Sequence, residues 1–161
     1  MPERQPILTV RGLRKTFAAQ GENSLLHRQR MAAVDGVSFD LYPGETFGLV
    51  GESGCGKSTL GRTILRLSEP NSGQIFFDGK DILSMTEKEF LPYKRRIQII
   101  FQNPYASLNP RFTVGQILME PLAIHRIGAS SSERKEMAFD WLKKVGLPPE
   151  AFFRYPHEFS G

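Results

Sequence analysis

The chain has 161 residues, of which 40% are hydrophobic and 24% are charged, a composition that is ordinary for a globular domain and excludes wholesale disorder and fibrous repeats. Its net charge of +4 is a mild excess that would suit phosphate ligands but does not by itself identify a partner. No stretch is apolar enough to span a bilayer, the N-terminus lacks a signal-peptide pattern and Cys55 is the only cysteine, so the sequence predicts a cytoplasmic protein without disulfides.

Two strands are predicted near the start of the chain. The apolar run ILTV at residues 7–10 is typical of a short strand. The segment AVDGVSFDL at residues 33–41 alternates apolar and polar side chains, as a half-buried strand does. Residues 21–31 are polar and follow neither period, which indicates an exposed loop or insertion between the two strands.

The next part of the chain has the pattern of a strand, a glycine-rich loop and a helix. ETFGLV at residues 45–50 is a largely apolar run that leads into the glycines. After them, Leu60, Ile64 and Leu67 recur at helical spacing.

Two further strands and one short helix are predicted before residue 102. GQIFFDG at residues 73–79 and IQIIF at residues 97–101 are the strand candidates, the second with the apolar character of a buried sheet interior. Between them, TEKE from Thr86 is a capping-box pattern that opens a short helix, which Pro92 must end.

From Gln102 onward frequent prolines leave no room for another strand, so this half is predicted to be helical. Ser130 precedes Glu133 by three residues, as at a helix start, and Gly146 and Pro148 terminate the same segment. The apolar residues of this helix are predicted to form one face: Met137, Ala138, Trp141, Leu142 and Val145.

The octapeptide GESGCGKS at residues 51–58 fits the phosphate-loop pattern G-x-x-x-x-G-K-[ST], directly after an apolar strand and directly before an amphipathic helix. Its glycines let the backbone curl so that successive N–H groups face a phosphate, and the helix start adds its positive dipole end. We therefore expect the whole loop to contact a nucleotide: Gly51, Glu52, Ser53, Gly54, Cys55, Gly56, Lys57, Ser58 and Thr59.

Individual side chains of the loop have distinct expected roles. Lys57 would place its ammonium between the β- and γ-phosphates, and the Ser58 hydroxyl would ligate the bridging Mg²⁺. Thr59 would support the α-phosphate side. Cys55 is interpreted as a small residue that fills the loop, the alternative being a reactive thiol at a helix N-terminus.

A nucleotide site does not by itself distinguish a GTPase, a kinase, a helicase and a transporter motor. The 161 residues contain no N-K-x-D guanine motif. The densest basic cluster, residues 94–96, lacks interleaved aromatic side chains, which favours a solvated turn over a nucleic-acid surface. Nucleic acid is therefore not an expected partner.

At VDGVSFDLYPGETFGLVGESGCGKSTLGRTIL and again at IQIIFQNPYASLNPRFTVGQIL, the sequence resembles the ATP-binding subunits of ABC transporters, in particular those of bacterial dipeptide and oligopeptide importers. The resemblance implies an α/β fold, the ABC-type nucleotide-binding domain of P-loop NTPases, of which this chain would be the N-terminal part. Residues 1–101 would form an antiparallel β subdomain with the phosphate-loop core. Residues 102–161 would form the glutamine loop and the start of a helical subdomain.

The resemblance also assigns two residues outside the loop. Gln102 matches the glutamine that, in the family, reaches Mg²⁺ and the attacking water, so a catalytic and metal-contacting role is expected. Phe17 falls where the family places an aromatic side chain that stacks on adenine. The alternative for Phe17 is a packing role in the core.

The closing residues Phe159, Ser160 and Gly161 resemble the start of the ABC signature Leu-Ser-Gly-Gly-Gln. In the family this signature binds the γ-phosphate of a nucleotide held by the opposite subunit. Ser160 and Gly161 are therefore expected to contact ATP across a head-to-tail dimer, with a copy of this chain or with a relative. The family's Asp-Glu strand and switch histidine have no match in the 161 residues, so hydrolysis by this chain alone is not expected.

The resemblance implies the ATP-binding, energy-coupling subunit of an importer for dipeptides or oligopeptides, with ATP and Mg²⁺ as cofactors. Its partners would be membrane permease subunits, a second ATP-binding subunit and, indirectly, a solute-binding protein. It would lie in the cytoplasm, peripheral to the inner face of the cell membrane. Two alternatives stay open: an ATPase for nickel or glutathione uptake, and a truncated, non-catalytic ATP-binding remnant.

Overall fold

The computed structural model describes residues 4–18 and 30–159. The chain divides into two compact units, Met1–Ile99 and Ile100–Gly161. No helix among the described residues is both long and apolar enough to cross a membrane.

The first unit is built on a four-stranded antiparallel sheet with the strand order β2-β1-β3-β4. Its strands are β1 (Leu8–Ala18), β2 (Arg30–Leu41), β3 (Ser72–Phe77) and β4 (Lys80–Asp81). The apolar face of the sheet is buried in a core that includes Val10, Leu13 and Ile75. The antiparallel β subdomain is thus present as predicted.

Strands β1 and β2 are longer than the sequence predicts. β1 continues past Val10 to Ala18, and β2 begins at Arg30, so that residues 30–31 belong to a strand and not to the predicted loop. The rest of that loop, residues 21–29, lies outside the described residues. The register between β1 and β2 shifts at several points between Val10 and Thr16. Such bulges interrupt the alternation of apolar and polar side chains, so the sequence pattern underestimates the length of both strands.

The described part of the first unit has two α-helices, α1 (Lys57–Ile64) and α2 (Glu87–Phe90). α1 buries Leu60 and Thr63, but it ends before Leu67, which is exposed and so does not extend the predicted helical face. α2 begins at Thr86 with the predicted capping box, in which Thr86 and Glu89 bond each other's backbone N–H groups. The chain leaves α2 through Pro92 into a short 3₁₀ turn, Tyr93–Arg95.

The predicted strands at residues 45–50 and 97–101 are not strands in the structure. Val50 and Ile100 are 94% and 93% exposed. Phe47 stacks on Phe39 of β2 with ring centroids 4.9 Å apart, so the segment 45–50 contacts β2 through a side chain. The apolar composition of both segments is what led to the strand prediction, but a strand also needs a hydrogen-bonded neighbour. In the described part of the chain the sheet consists of the four strands above.

The second unit contains helices and no strands in residues 100–159, as predicted. Its helices are α3 (Pro104–Ser107), α4 (Val114–Ile124) and α5 (Ser131–Lys144), followed by the 3₁₀ segments Pro149–Phe153 and Pro156–Phe159. Their core consists of Ala138, Leu142, Ala151 and Phe152.

Helix α5 begins and ends close to the predicted signals. The Ser130 hydroxyl accepts the N–H of Glu133 at 3.1 Å, and the Glu133 carboxylate accepts the N–H of Ala129 at 2.6 Å. Gly146 follows the helix in the left-handed conformation, with φ = 75°. The predicted apolar face is wrong at Val145, which is 71% exposed because it is the C-cap, beyond the last turn that packs on the core.

Candidate nucleotide site

The glycine-rich loop at residues 51–58 lies between residues 45–50 and helix α1, with its last two residues in the helix. Gly54 and Gly56 have φ angles of 84° and 95°, in the left-handed region that favours glycine. A Cβ atom on Gly56 would lie only 1.9 Å from the carbonyl oxygen of Ala33 in β2. Glycine at position 56 therefore permits both the turn and the close approach of the loop to β2.

Helix α1 starts without a side-chain cap because its N-cap residue is Gly56. The first N–H groups of a helix have no partner within the helix, and the macrodipole gives this end a partial positive charge. The first turn carries Lys57, Ser58 and Thr59 and no acidic residue. The start of α1 is therefore electrostatically suited to an anion.

The Lys57 ammonium lies inside the loop. It donates hydrogen bonds to the carbonyl oxygens of Gly51 and Glu52, each at 2.6 Å, and lies 3.4 Å from the sulfur of Cys55. Lys57 therefore closes the loop on itself and holds a positive charge at the start of α1.

Cys55 packs within the loop at its exposed surface. Its N–H donates to the carbonyl of Glu52 at 3.3 Å, and a Cβ atom on Gly51 would lie 2.7 Å from the Cys55 sulfur. These contacts agree with the interpretation of Cys55 as a small residue that fills the loop. The remaining loop residues Ser53 and Ser58 are exposed, and Thr59 is half-buried with its carbonyl accepting the Thr63 hydroxyl at 2.8 Å.

A cavity of about 310 Å³ adjoins the loop. Its walls come from β2, from the segment before the loop and from the start of α1: Ala32, Ala33, Val34, Asp35, Val37, Leu49, Val50, Cys55, Gly56, Lys57 and Leu60. Asp35 forms an ion pair with Arg14 of β1. Sequence reasoning missed the β2 wall, and the only local signal for it is the pair of small residues Ala32 and Ala33, which permit a close approach.

Phe17 lies near the end of β1 and is 43% exposed, so it is not a core residue. It pairs with Met31 on β2, and the preceding residue, Thr16, pairs with Ala32, which lines the cavity. Phe17 is thus one residue pair along the β1–β2 ladder from a residue that lines the cavity. The Lys15 ammonium lies over the ring, 5.1 Å from its centroid.

The other predicted site residues belong to the second unit. Gln102 is exposed and lies two residues before α3. Ser160 and Gly161 lie outside the described residues, directly after the 3₁₀ segment that ends at Phe159. Within residues 4–18 and 30–159, no three His, Cys, Asp or Glu side chains are grouped as a metal site would require.

Comparison with known proteins identifies the family. The model of the family described as "ABC transporter" matches residues 34–161, which include the loop, α1 and the whole second unit. The chain belongs to the ABC transporter family. The fold predicted from the sequence, an ABC-type nucleotide-binding domain with an antiparallel β subdomain and helices, is confirmed by this match and by the solved structures that resemble it.

Curated relatives are import proteins. The chain is 52% identical over 161 residues to the glutathione import ATP-binding protein GsiA of Salmonella paratyphi A, covering 99% of the chain and 25% of GsiA. It is 49% identical over 156 residues to a putative peptide import ATP-binding protein of Brucella ovis, covering 97% of the chain and 47% of that protein. The chain therefore spans between a quarter and about half the length of these relatives.

Two solved structures share the fold. Both are dimeric structures of the ABC transporter cassette MJ0796, one of them in a post-hydrolysis state bound to ADP and Pi. Each is 27% identical to the chain, with TM-scores of 0.73 and 0.74, and the match covers 95% and 96% of this chain and 63% of each cassette.

Proposed function

We propose that the chain is the ATP-binding, energy-coupling part of an ABC importer for short peptides. The observation that carries the proposal is the glycine-rich loop, in which Lys57 and the uncapped start of α1 concentrate positive charge beside a cavity. The relatives named as import ATP-binding proteins support the transport role.

In this proposal the phosphates bind at the start of α1. Lys57 exchanges part of its bonding to the Gly51 and Glu52 carbonyls for the β- and γ-phosphate oxygens, which as anions form stronger, charge-assisted hydrogen bonds. The N–H groups of the loop bind the same oxygens, and Thr59 supports the α-phosphate side. The base stacks on Phe17, a contact of about 1–3 kcal/mol by analogy with aromatic stacking in nucleic-acid sites.

The residues also fit Mg²⁺, which takes oxygen ligands and keeps contacts to substrate phosphates rather than needing a cage of protein carboxylates. The exposed Ser58 hydroxyl, one residue after Lys57, would be its protein ligand at the loop, with Gln102 as a second contact. When bound, the ion neutralises charge on the phosphates. This ligand set is compatible with the lack of an acidic cluster in the described residues.

The proposed partners are membrane permease subunits, a second ATP-binding subunit and, indirectly, a solute-binding protein. The dimeric cassettes that share the fold support a two-subunit arrangement, in which Ser160 and Gly161 would contact the nucleotide of the opposite subunit. Such a complex would place the chain in the cytoplasm, on the inner face of the cell membrane.

Two cargoes are supported by specific observations. Dipeptides or oligopeptides are favoured by the peptide import relatives and by the run NPYASLNPR after Gln102. Glutathione, itself a small peptide, is favoured by the 52% identity to GsiA. Uptake of labelled dipeptides and labelled glutathione, in cells with and without the gene, separates them. Unchanged uptake of both would contradict the importer assignment.

Nucleotide binding is tested by calorimetric titration of the chain with Mg-ATP. Lys57→Ala should weaken binding by about 100-fold or more, because charge-assisted hydrogen bonds contribute about 1.5–3 kcal/mol each. Lys80→Ala, a change at an exposed lysine on β4, is the matched control and should bind like the parent. Equal binding by the parent and Lys57→Ala would refute the phosphate site.

The Mg²⁺ assignment has a separate test. Ser58→Ala should weaken ATP binding when Mg²⁺ is present and leave it nearly unchanged when the metal is chelated. An equal loss in both conditions would mean that Ser58 acts on the loop and not through the metal.

We also propose that the 161 residues bind ATP without sustained turnover. Phosphoryl transfer depends on groups that position the attacking water and complete the charge clamp, and the family's Asp-Glu strand and switch histidine have no match in these residues. Phosphate release by the chain should not exceed that of Lys57→Ala. Turnover by the parent clearly above that background would contradict this part of the proposal.

A further inference from the structure

The Phe17 ring is not isolated at the end of β1. The Lys15 ammonium lies over it at 5.1 Å from the ring centroid, within the distance of about 6 Å at which a cation is attracted to the face of an aromatic ring. One face of the ring is therefore covered by a positive charge, while the residue as a whole remains 43% exposed.

The ammonium itself is held in place from outside β1. Lys15 donates a hydrogen bond of 2.6 Å to the carbonyl oxygen of Glu69, in the segment that follows α1. The same segment is bonded to β1 by Asn71, whose N–H donates to the Arg14 carbonyl at 2.8 Å and whose side-chain oxygen accepts the Thr16 N–H at 2.7 Å. Because its anchor is itself bonded to the strand, this hydrogen bond restricts the conformations open to the long Lys15 side chain.

An exposed phenylalanine at a sheet surface has several rotamers available, and a ring that must be ordered on binding loses affinity through that ordering. A fixed cation on one face favours the rotamer seen here and leaves the other face for a planar ligand. Phe17 lies one residue pair along the ladder from Ala32, which lines the cavity beside Lys57, and in the proposed function the planar ligand at this end of the cavity is the nucleotide base.

We propose that Lys15 is a positioning residue for base binding: anchored on the Glu69 carbonyl, it holds the Phe17 ring in the orientation that stacks on adenine. The proposal rests on the proposed function, in which adenine stacks on Phe17. It predicts that Lys15 contributes to recognition of the base and not to recognition of the phosphates.

The test compares two ligands, ATP and inorganic tripolyphosphate, which share the phosphate chain and differ in the base and sugar. Affinities are measured by calorimetry for the parent, Lys15→Met, Lys15→Gln and Lys15→Arg. Lys15→Gln keeps a hydrogen-bond donor toward Glu69 without the charge, so it remains informative if Lys15→Met is poorly folded. Lys80→Met on β4, two strands away in the sheet order, controls for the loss of one positive charge.

We expect Lys15→Met and Lys15→Gln to bind ATP about twofold to fivefold more weakly, the range that an exposed cation–π contact corresponds to. Tripolyphosphate binding should be unchanged in both variants. Lys15→Arg, which keeps the cation, should retain most of the ATP affinity, and Lys80→Met should match the parent with both ligands.

Two results would overturn the proposal: ATP affinity unaffected by loss of the Lys15 charge, or an equal loss for ATP and tripolyphosphate, which would reveal only a general charge effect. Phe17→Ala separates this failure from a failure of the proposed function. If Phe17→Ala lowers ATP affinity and the Lys15 variants do not, only the role of Lys15 is wrong. If Phe17→Ala leaves the preference for ATP over tripolyphosphate intact, the base site itself is wrong.

Discussion

Replacement of Gly56 by alanine adds only one methyl group, but it is expected to lower the free energy of unfolding of the first unit substantially. Gly56 has φ = 95°, and a residue with a Cβ atom in the left-handed region costs about 1–2 kcal/mol. The added methyl would also lie 1.9 Å from the Ala33 carbonyl oxygen, and overpacking of a tight site costs about 1–3 kcal/mol more. We therefore expect a loss of about 2–5 kcal/mol in the free energy of unfolding, a large share of a typical domain's stability.

The matched control is a second glycine-to-alanine change, at Gly61 in the helix that Gly56 precedes. Gly61 is inside α1, and a Cβ atom there would meet nothing within 4 Å. Gly61→Ala should therefore stabilise the chain by about 0.5–1 kcal/mol, because alanine restricts the unfolded chain and favours the helix. The two substitutions add the same methyl group and are expected to act in opposite directions.

Urea denaturation followed by far-ultraviolet circular dichroism measures both effects, and a Mg-ATP titration of the folded fraction measures the consequence for the site. Gly56→Ala should bind Mg-ATP more weakly than the parent, since β2 and the loop must move apart to admit the methyl group. If Gly56→Ala unfolds at the same urea concentration as the parent, the close contact between the loop and β2 is wrong.

Three further predictions concern stability and solubility. Gly115→Ala should destabilise the second unit by about 1–3 kcal/mol, because its Cβ would lie 2.4 Å from the Phe152 ring; in thermal melts, adding Phe152→Leu should restore part of the loss, and no restoration would contradict the contact. The Arg11 hydrogen bond lowers the pKa of Asp40 below its ordinary 3.8, so that the stabilisation is complete above that value and is lost as the pH falls through the lower, folded-state pKa. Asp40→Asn should therefore flatten the fall in urea midpoint between about pH 7 and about pH 3, and an unchanged fall would exclude this pair as its source. Ile100→Lys, at a 93% exposed position, should leave the melting temperature nearly unchanged and reduce light scattering on storage; a large loss of stability would show that Ile100 is packed.

The features of the fold that the sequence predicts well are those encoded by residues close together in the chain. The capping pair Thr86 and Glu89 and the start of α5 at Ser130 depend on side chains three residues apart, so their geometry follows from the local pattern. The errors lie where a segment needs a distant partner. Residues 45–50 and 97–101 have the apolar content of buried strands, but apolar content does not specify which strand would pair with them.

The candidate site divides in the same way. The spacing of glycines and Lys57 predicts the loop because one short segment contains every group that curls around the anion. The approach of Ala33 to Gly56 and the anchoring of Lys15 on Glu69 join residues that are far apart in the chain. No periodicity marks such contacts, and they become visible only when the three-dimensional positions of the loop, the strands and the segment after α1 are known.

Lys57 has two roles in the loop, and they must be distinguished when its variants are interpreted. Its bonds to the Gly51 and Glu52 carbonyls hold the loop closed, while its charge is the proposed attraction for phosphate. An ammonium has three N–H donors, and here it contacts the two carbonyls and the Cys55 sulfur. Sulfur is the weakest acceptor of the three, so phosphate binding would replace that contact first and leave most of the support of the loop in place. The loop is therefore already folded around its own cation, and binding requires little reordering of the backbone, which favours affinity through preorganisation.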